Sequence, residues 1–436
     1  MAMQDLVAWV LVVAVCGSAS AAVLPGDGPE MAVKVESGAY TAAGHRVKVA
    51  ATAQLPIASQ ERIRITAEPV VIGDERPNAY QGGTVLAKTM GPVDIFTRYP
   101  YAIDPTSVKV RSASDGGDVY EEGKDYFLDH DWGGMARIDG GRIAKGATVY
   151  VDYAILLQRI DVVQVSAKGV ALVKQGESVV ANAETPIPDP GCTAIAAVYV
   201  PMRIGSITGS DIYALPSTKA TWRDFIKVSG REHLANTLGL LNSRKPVTVV
   251  CWGDSVTQGG SPLKHEGCYV ERFRASLKAA YPQTPITLIN AGIGGTNTEG
   301  RRSGFEAEVL AHKPDLITVE FVNDVGFGPD KIKANWAEFI EKARKANPRV
   351  ELILITPHFM TASWMGAFEK SVDAMREAAR TNKVALADAT NIWAHLREVA
   401  IPYETLLANG INHPNDLGHE FFSESLMRLM APRKRH

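Results

Sequence analysis

Residues 247–260 read VTVVCWGDSVTQGG. An apolar run that stops at glycine, aspartate and serine is the pattern of a strand buried on both faces and leaving the sheet through a tight turn. The pattern repeats downstream. Ile286 to Asn290, Leu316 to Phe321, Leu352 to Thr356 and Val384 to Ala387 are further short apolar runs. Helical periods lie between them at Tyr269 to Ala280, Ile332 to Ala346 and Trp364 to Thr381, and a last one follows Asp416. Five short strands alternating with helices predict an α/β fold with a doubly wound, parallel, five-stranded sheet. Sites in such sheets lie at the carboxyl ends of the strands.

Upstream the chain has another character. From Val23 to Leu215 it offers short β runs between Gly, Pro and Asp turns, such as Arg62 to Ala67 and Thr148 to Tyr153. Val162 to Val173 reads as a hairpin turning near Lys168-Gly169. This predicts an all-β, sandwich-like region, which two small β modules would also satisfy. The expected division is a leader over 1–22, a β-rich region over 23–215, a helical connector over 216–245 and the α/β domain over 246–436.

Composition narrows the class. Of 436 residues 46% are apolar and 22% charged, with 46 basic against 48 acidic side chains and a net charge of −2. A chain without a basic field is not built for nucleic acid, and no partner of that kind is expected. Residues 6–15, LVAWVLVVAV, are too short to span a bilayer and are followed by small residues up to Ala22. The segment predicts export to a periplasmic or extracellular compartment, although its first residues carry Asp5 and no Lys or Arg. Val15 before Cys16 argues against lipidation. Cleavage would leave Cys192, Cys251 and Cys268, an odd number; Cys251, inside a strand run, is expected as a buried free thiol.

The polar residues gather at the predicted strand ends. The first strand delivers Ser255; the second delivers Gly292, Ile293, Gly294 and Gly295; the third delivers Asn323 and Asp324; a late loop carries Asn409, His413, Asp416 and His419. A serine at a strand end presents its Oγ and its own N–H. A neighbouring glycine adds a second N–H that no Cβ screens, and an asparagine amide adds a third. Three such donors form an oxyanion hole, and a histidine supplies the general base. The expected chemistry is acyl transfer to water. No cofactor and no metal are expected, because His413, Asp416 and His419 lie around a turn into a helix rather than in a ligand array. The elbow Gly-x-Ser-x-Gly is broken by Thr257, and Gly292 to Gly295 lack the Lys-Ser/Thr of a phosphate loop.

These four segments, in this order, resemble the SGNH (GDSL-like) hydrolase family, and its carbohydrate-esterase members in particular, over Pro246 to the C-terminus. The resemblance implies Ser255 as nucleophile, Ser255, Gly295 and Asn323 as oxyanion donors with Gly292 as fallback, and His413 as base. Two positions depart from the family pattern. Phe321 stands where a glycine is usual and is expected to narrow the pocket. Gly410 stands where the orienting aspartate is usual, so a Ser–His dyad is expected, oriented by Asn409 or by a backbone carbonyl. Asp416 is expected to cap the last helix, and His419 to pack or cap.

Export and the β-rich partner region turn the expectation toward removal of O-acetyl groups from polysaccharide or oligosaccharide. An exported hydrolase of lipid or small acyl esters is one alternative, and a glycan-binding protein with a weak or inactive hydrolase domain is another. Trp252 is a candidate for sugar stacking or for the core.

Overall fold

The structure, a computed structural model, describes residues 21–28, 30–86, 99–260 and 267–432. The expected leader and Cys16 fall on residues 1–20, outside the described residues. Among the described residues no helix is long and apolar enough to cross a membrane.

The C-terminal half is organised by a sheet of six strands: β1 (Lys227–Ser229), β2 (Val247–Gly253), β3 (Ile286–Gly292), β4 (Leu316–Glu320), β5 (Glu351–Ile355) and β6 (Ala385–Asp388), in spatial order β1-β6-β5-β4-β2-β3. β2 to β6 pair in parallel, while β1 pairs antiparallel with β6, Lys227 facing Asp388. The expected five-stranded parallel sheet is therefore corrected to a mixed sheet of six. The sixth strand comes from the segment read as a helical connector. Gly230, in the left-handed region at φ 72°, ends β1, and the helix starts only afterwards, at Ala235–Asn242. A Cβ at Gly230 would lie 2.8 Å from the Val384 carbonyl oxygen, so the turn sits flush on the chain entering β6.

Helices cover both faces, giving two apolar layers. One gathers Val249, Cys251, Phe273 and Leu426; the other gathers Val250, Trp252, Trp336 and Phe339. Strand alternation places Cys251 and Trp252 on opposite faces. The principal helices are α1 (Ser255–Gln258), α2 (Tyr269–Ala280), α3 (Pro329–Ala346), α4 (Phe368–Thr381) and α5 (Asp416–Met430). α4 begins later than its apolar period suggests, because Trp364 belongs to a separate 3-10 turn.

The region 23–215 is rich in strands, but among the described residues they fall into five small sheets and do not establish a sandwich. They serve two cores. Val33, Val49, Val163 and Val198 pack in one, and Val70, Val110, Val151 and Leu128 in the other. The strands Thr148–Leu156 and Arg159–Ser166 lead from the second core back to the first. The segment forming the second core thus lies within the first in sequence. The predicted hairpin is present: Arg159–Ser166 pairs with Ala171–Lys174, and Gly169 turns at φ 77°.

Cys192, Cys251 and Cys268 are all free. Burial pushes the Cys251 thiol up to about 12, as suits an inert core thiol.

Candidate active site

Ser255 opens α1 directly after β2. Asp254 holds that turn: one carboxyl oxygen accepts from the Val256 N–H at 3.0 Å and the other from the Asn323 N–H at 3.0 Å. The aspartate therefore binds the nucleophile turn to the end of β4. The short helix closes at Gly259, φ 88°, and the N–H groups of Gly259 and Gly260 both reach the Ser255 carbonyl at 2.9 Å.

His413 arrives from the loop before α5, and its Nε2 lies 2.9 Å from Ser255 Oγ. Gly260 lies against this pair. A Cβ there would sit 3.2 Å from His413 Cε1 and 3.3 Å from Ser255 Cβ.

The glycine segment after β3 divides its labour. The Gly292 N–H is taken by Asn290 Oδ1 at 2.9 Å, and a Cβ on Gly292 would fall 2.2 Å from the Gln258 nitrogen. Gly292 thus serves close packing on α1. The Gly294 N–H is taken by Gln258 Oε1 at 2.7 Å. Gly295, at φ 70°, donates to no protein acceptor among the described residues. Its N–H is the free one, ahead of the fallback Gly292. Asn323 Nδ2 donates to the Thr296 carbonyl at 2.9 Å, which seats the amide beside Gly295 and leaves it a second hydrogen.

The His413 loop is anchored on several sides. Asn409 is buried, and its Oδ1 accepts from the N–H groups of Ile411, Asn412 and His413, each at 2.9 Å. Asn409 therefore acts on the main chain, whereas the sequence suggested the imidazole. Its position four residues before His413 suits an Asx-type turn, in which the side chain closes on its own backbone. His358 Nε2 donates to the Asn412 carbonyl at 2.7 Å, and burial pulls His358 down to about 3, keeping it neutral. The third anchor comes from the strand-rich region. The Tyr99 hydroxyl donates to the Ala408 carbonyl, while the Ala408 N–H donates to the His413 carbonyl at 2.7 Å. The Tyr99 ring packs against Gly410, where a Cβ would come within 2.7 Å of it.

Other sequence expectations change. Phe321 and Trp252 turn into the core: Trp252 meets the edges of Phe305, Phe321 and Phe339 at 4.9, 4.6 and 4.7 Å. Phe321 therefore does not narrow the pocket, and Trp252 is no sugar platform. Asp416 does not cap α5. Asn415 does, through its side chain and the Gly418 N–H at 3.1 Å, and Asp416 pairs with Arg272 at 2.7 Å. His419 caps and packs: its Nδ1 accepts the Tyr269 N–H at 3.1 Å, at the start of α2.

Sequence reasoning missed a buried polar floor. Glu320, at the end of β4, accepts from Thr257 Oγ1 at 2.9 Å. Asp324 accepts from the Thr298 N–H at 2.9 Å and from Trp336 Nε1 at 2.8 Å. Burial pushes the carboxyls of Asp254 and Glu320 well up, with Asp324 adding to the first and Asp254 to the second. Asp324 rises to about 6, also by burial. Burial thus disfavours the charged form of each relative to a free carboxylate. Arg301, buried, donates to the carbonyls of Gly253 and Ala291 at 3.0 Å each and ties the ends of β2 and β3 together. The adjacent Asn323-Asp324 pair was the available signal for Asp324. Arg301 had none.

Among the described residues no cluster of His, Cys, Asp and Glu could hold a metal ion. The arrangement can activate a hydroxyl and can offer N–H donors to developing negative charge.

Residues 251–421 match the model of the GDSL-like Lipase/Acylhydrolase family. An acetylxylan esterase of Geobacillus stearothermophilus is 24% identical over 199 residues, 40% of this chain and 90% of that protein. The uncharacterized lipoprotein YqeF of Bacillus subtilis (strain 168) is 30% identical over 118 residues, 25% of this chain and 48% of that protein. Among solved structures, a two-domain esterase (CEX) active on acetylated mannans is 22% identical, with a TM-score of 0.40, covering 45% of this chain and 52% of that one. The chain thus spans about half the length of YqeF and of CEX.

Proposed function

We propose, from the premise that residues 251–421 form a GDSL-like lipase/acylhydrolase domain, that this protein is an exported serine esterase removing O-acetyl groups from carbohydrate. The observation that carries the chemistry is the 2.9 Å approach of His413 Nε2 to Ser255 Oγ.

In this reading His413, protonated at Nδ1, accepts the Ser255 proton as Oγ attacks the acetyl carbonyl. The tetrahedral oxyanion is met by the N–H groups of Ser255 and Gly295 and by the free hydrogen of Asn323 Nδ2. His413 then returns the proton to the departing sugar oxygen. Water, deprotonated by the same imidazole, releases acetate from Ser255. Asn409, His358 and Tyr99 fix the loop so that the base keeps its place.

The carbohydrate assignment is supported by the likeness to an acetylxylan esterase and by the strand-rich region against the His413 loop. Export is supported by residues 6–22 of the sequence.

The test is acetate release from acetylated xylan and mannan beside p-nitrophenyl acetate and longer-chain esters, with Ser255→Ala as blank. Release from polysaccharide that vanishes in the blank is expected. Turnover confined to long-chain esters would replace sugar by lipid as substrate, and equal activity in Ser255→Ala would overturn the assignment.

A further inference from the structure

A cavity of about 670 Å³ lies between the strand-rich region and the hydrolase domain. Tyr99, Tyr199 and Tyr213 line it from one side, and Trp393, Tyr403 and Glu404 from the other. Its size is that of a cleft for a small organic ligand. Ser255 and His413 do not line it, but Leu407 and Gly410 of the His413 loop do.

The polar inventory of the walls selects the ligand. Among the described residues two cations line it, and both are occupied. Arg397 donates to the carbonyls of Gly209, Ser210 and Ile212 at 2.7 to 2.8 Å. Arg203 binds Asp131 and the carbonyls of Ile103 and His130. Gln158 is also satisfied, accepting from the Tyr199 hydroxyl and donating to the Val180 carbonyl, each at 2.8 Å. What stays unused is hydrogen-bonding. Glu404 Oε2 is buried in the wall with no partner. Among the described residues the hydroxyls of Tyr213 and Tyr403 bond no protein atom. Burial raises the Glu404 carboxyl, with Asp211 adding to the effect.

An anion would find no free cation here and would face two carboxyl groups. A cation would enter beside two guanidinium groups. A ligand with apolar C–H faces and several hydroxyls would use the whole surface, its faces on the aromatic rings and its hydroxyls on Glu404, Tyr213 and Tyr403. We propose that this interdomain cavity is a binding site for a neutral sugar ring of an oligosaccharide, assembled by both halves of the chain. The proposal deepens the carbohydrate reading and rests on it for the polymer involved, but it needs no catalysis by Ser255.

The experiment uses the full chain with Ser255→Ala. It is titrated calorimetrically with unacetylated xylohexaose, mannohexaose and cellohexaose, and with tetramethylammonium. Saturable binding of at least one hexaose is expected. Tyr403→Ala or Glu404→Ala should weaken it at least tenfold, while the isosteric Glu404→Gln, which keeps a donor and an acceptor, should stay within about threefold. Thermal melts identify any variant that fails to fold, and Glu404→Gln then carries the comparison. Absence of binding by every hexaose, binding indifferent to both truncations, or binding of tetramethylammonium alone would overturn the proposal. Hexaose binding without esterase activity in the wild type would leave this site standing and remove the catalytic reading; activity without binding would do the reverse.

Discussion

Truncating Asn409 separates main-chain support of His413 from direct orientation of its ring. In Asn409→Ala three N–H groups, now each 2.9 Å from Oδ1, lose their acceptor at once. A buried donor left without a partner costs about 1 kcal/mol or somewhat more, so the arrested loop should lose about 3 kcal/mol. If that loss falls on the conformation holding His413 against Ser255, the competent fraction drops by roughly a hundredfold, at about 1.4 kcal/mol per decade. Asn409→Asp keeps an acceptor for the same three donors, and a charged acceptor holds them at least as well. Its one loss is the 3.3 Å contact from Asn409 Nδ2 to Asn412 Oδ1. The assay is kcat/KM on p-nitrophenyl acetate, with melting temperature on the same samples. Asn409→Ala should lose roughly a hundredfold, and Asn409→Asp should stay within about tenfold of wild type. Asn409→Ala within threefold of wild type at an unchanged melting temperature would refute the reasoning. So would an aspartate variant as impaired as the alanine variant.

Gly260→Ala should lower kcat roughly tenfold with little change in melting temperature, because its methyl meets both His413 and Ser255 at the edge of contact; wild-type kcat would contradict the packing. Tyr99→Phe removes the hydroxyl held by the Ala408 carbonyl. It should lower kcat several-fold with KM unchanged and cost about 1 kcal/mol of stability, and a change in KM alone would count against a role in placing His413. Glu320→Gln tests the buried floor. The folded state raises the Glu320 carboxyl above its unfolded value. Its contribution is therefore fully present below the unfolded pKa and is lost as pH rises toward the folded one. The glutamine variant should gain in melting temperature over wild type at pH 8 and lose that gain near pH 4; a pH-independent difference would exclude the shift as its cause.

The fold was legible where strands are buried on both faces, because uninterrupted apolar runs such as Val247 to Cys251 leave few other readings. Lys227–Ser229 escaped notice: three residues are too few for a period, and only pairing with β6 makes them a strand. The meeting of Ser255 and His413 was legible from chemistry at strand ends. The task of Asn409 was not, since spacing alone does not distinguish a side chain that reaches a ring from one that closes on its own backbone. Phe321 misled because its direction depends on the alternation of β4, which seats it beside Trp252. Tyr99 and the cavity lay beyond sequence reasoning, the tyrosine meeting Ala408 across 309 residues.

The antiparallel strand β1 also governs how the hydrolase half can be handled alone. The family match begins at residue 251, which invites a shortened chain starting at Pro246. That cut would remove β1 and bare the backbone of Leu386–Asp388, an apolar edge able to pair with the same edge of another molecule. It would also take Leu234 and Leu241 out of the core. A cut before Thr221 keeps the edge covered and retains Trp222 against Phe421 at 4.6 Å. Keeping residues 227–245, which precede the family match, is thus expected to decide whether the isolated domain stays monodisperse.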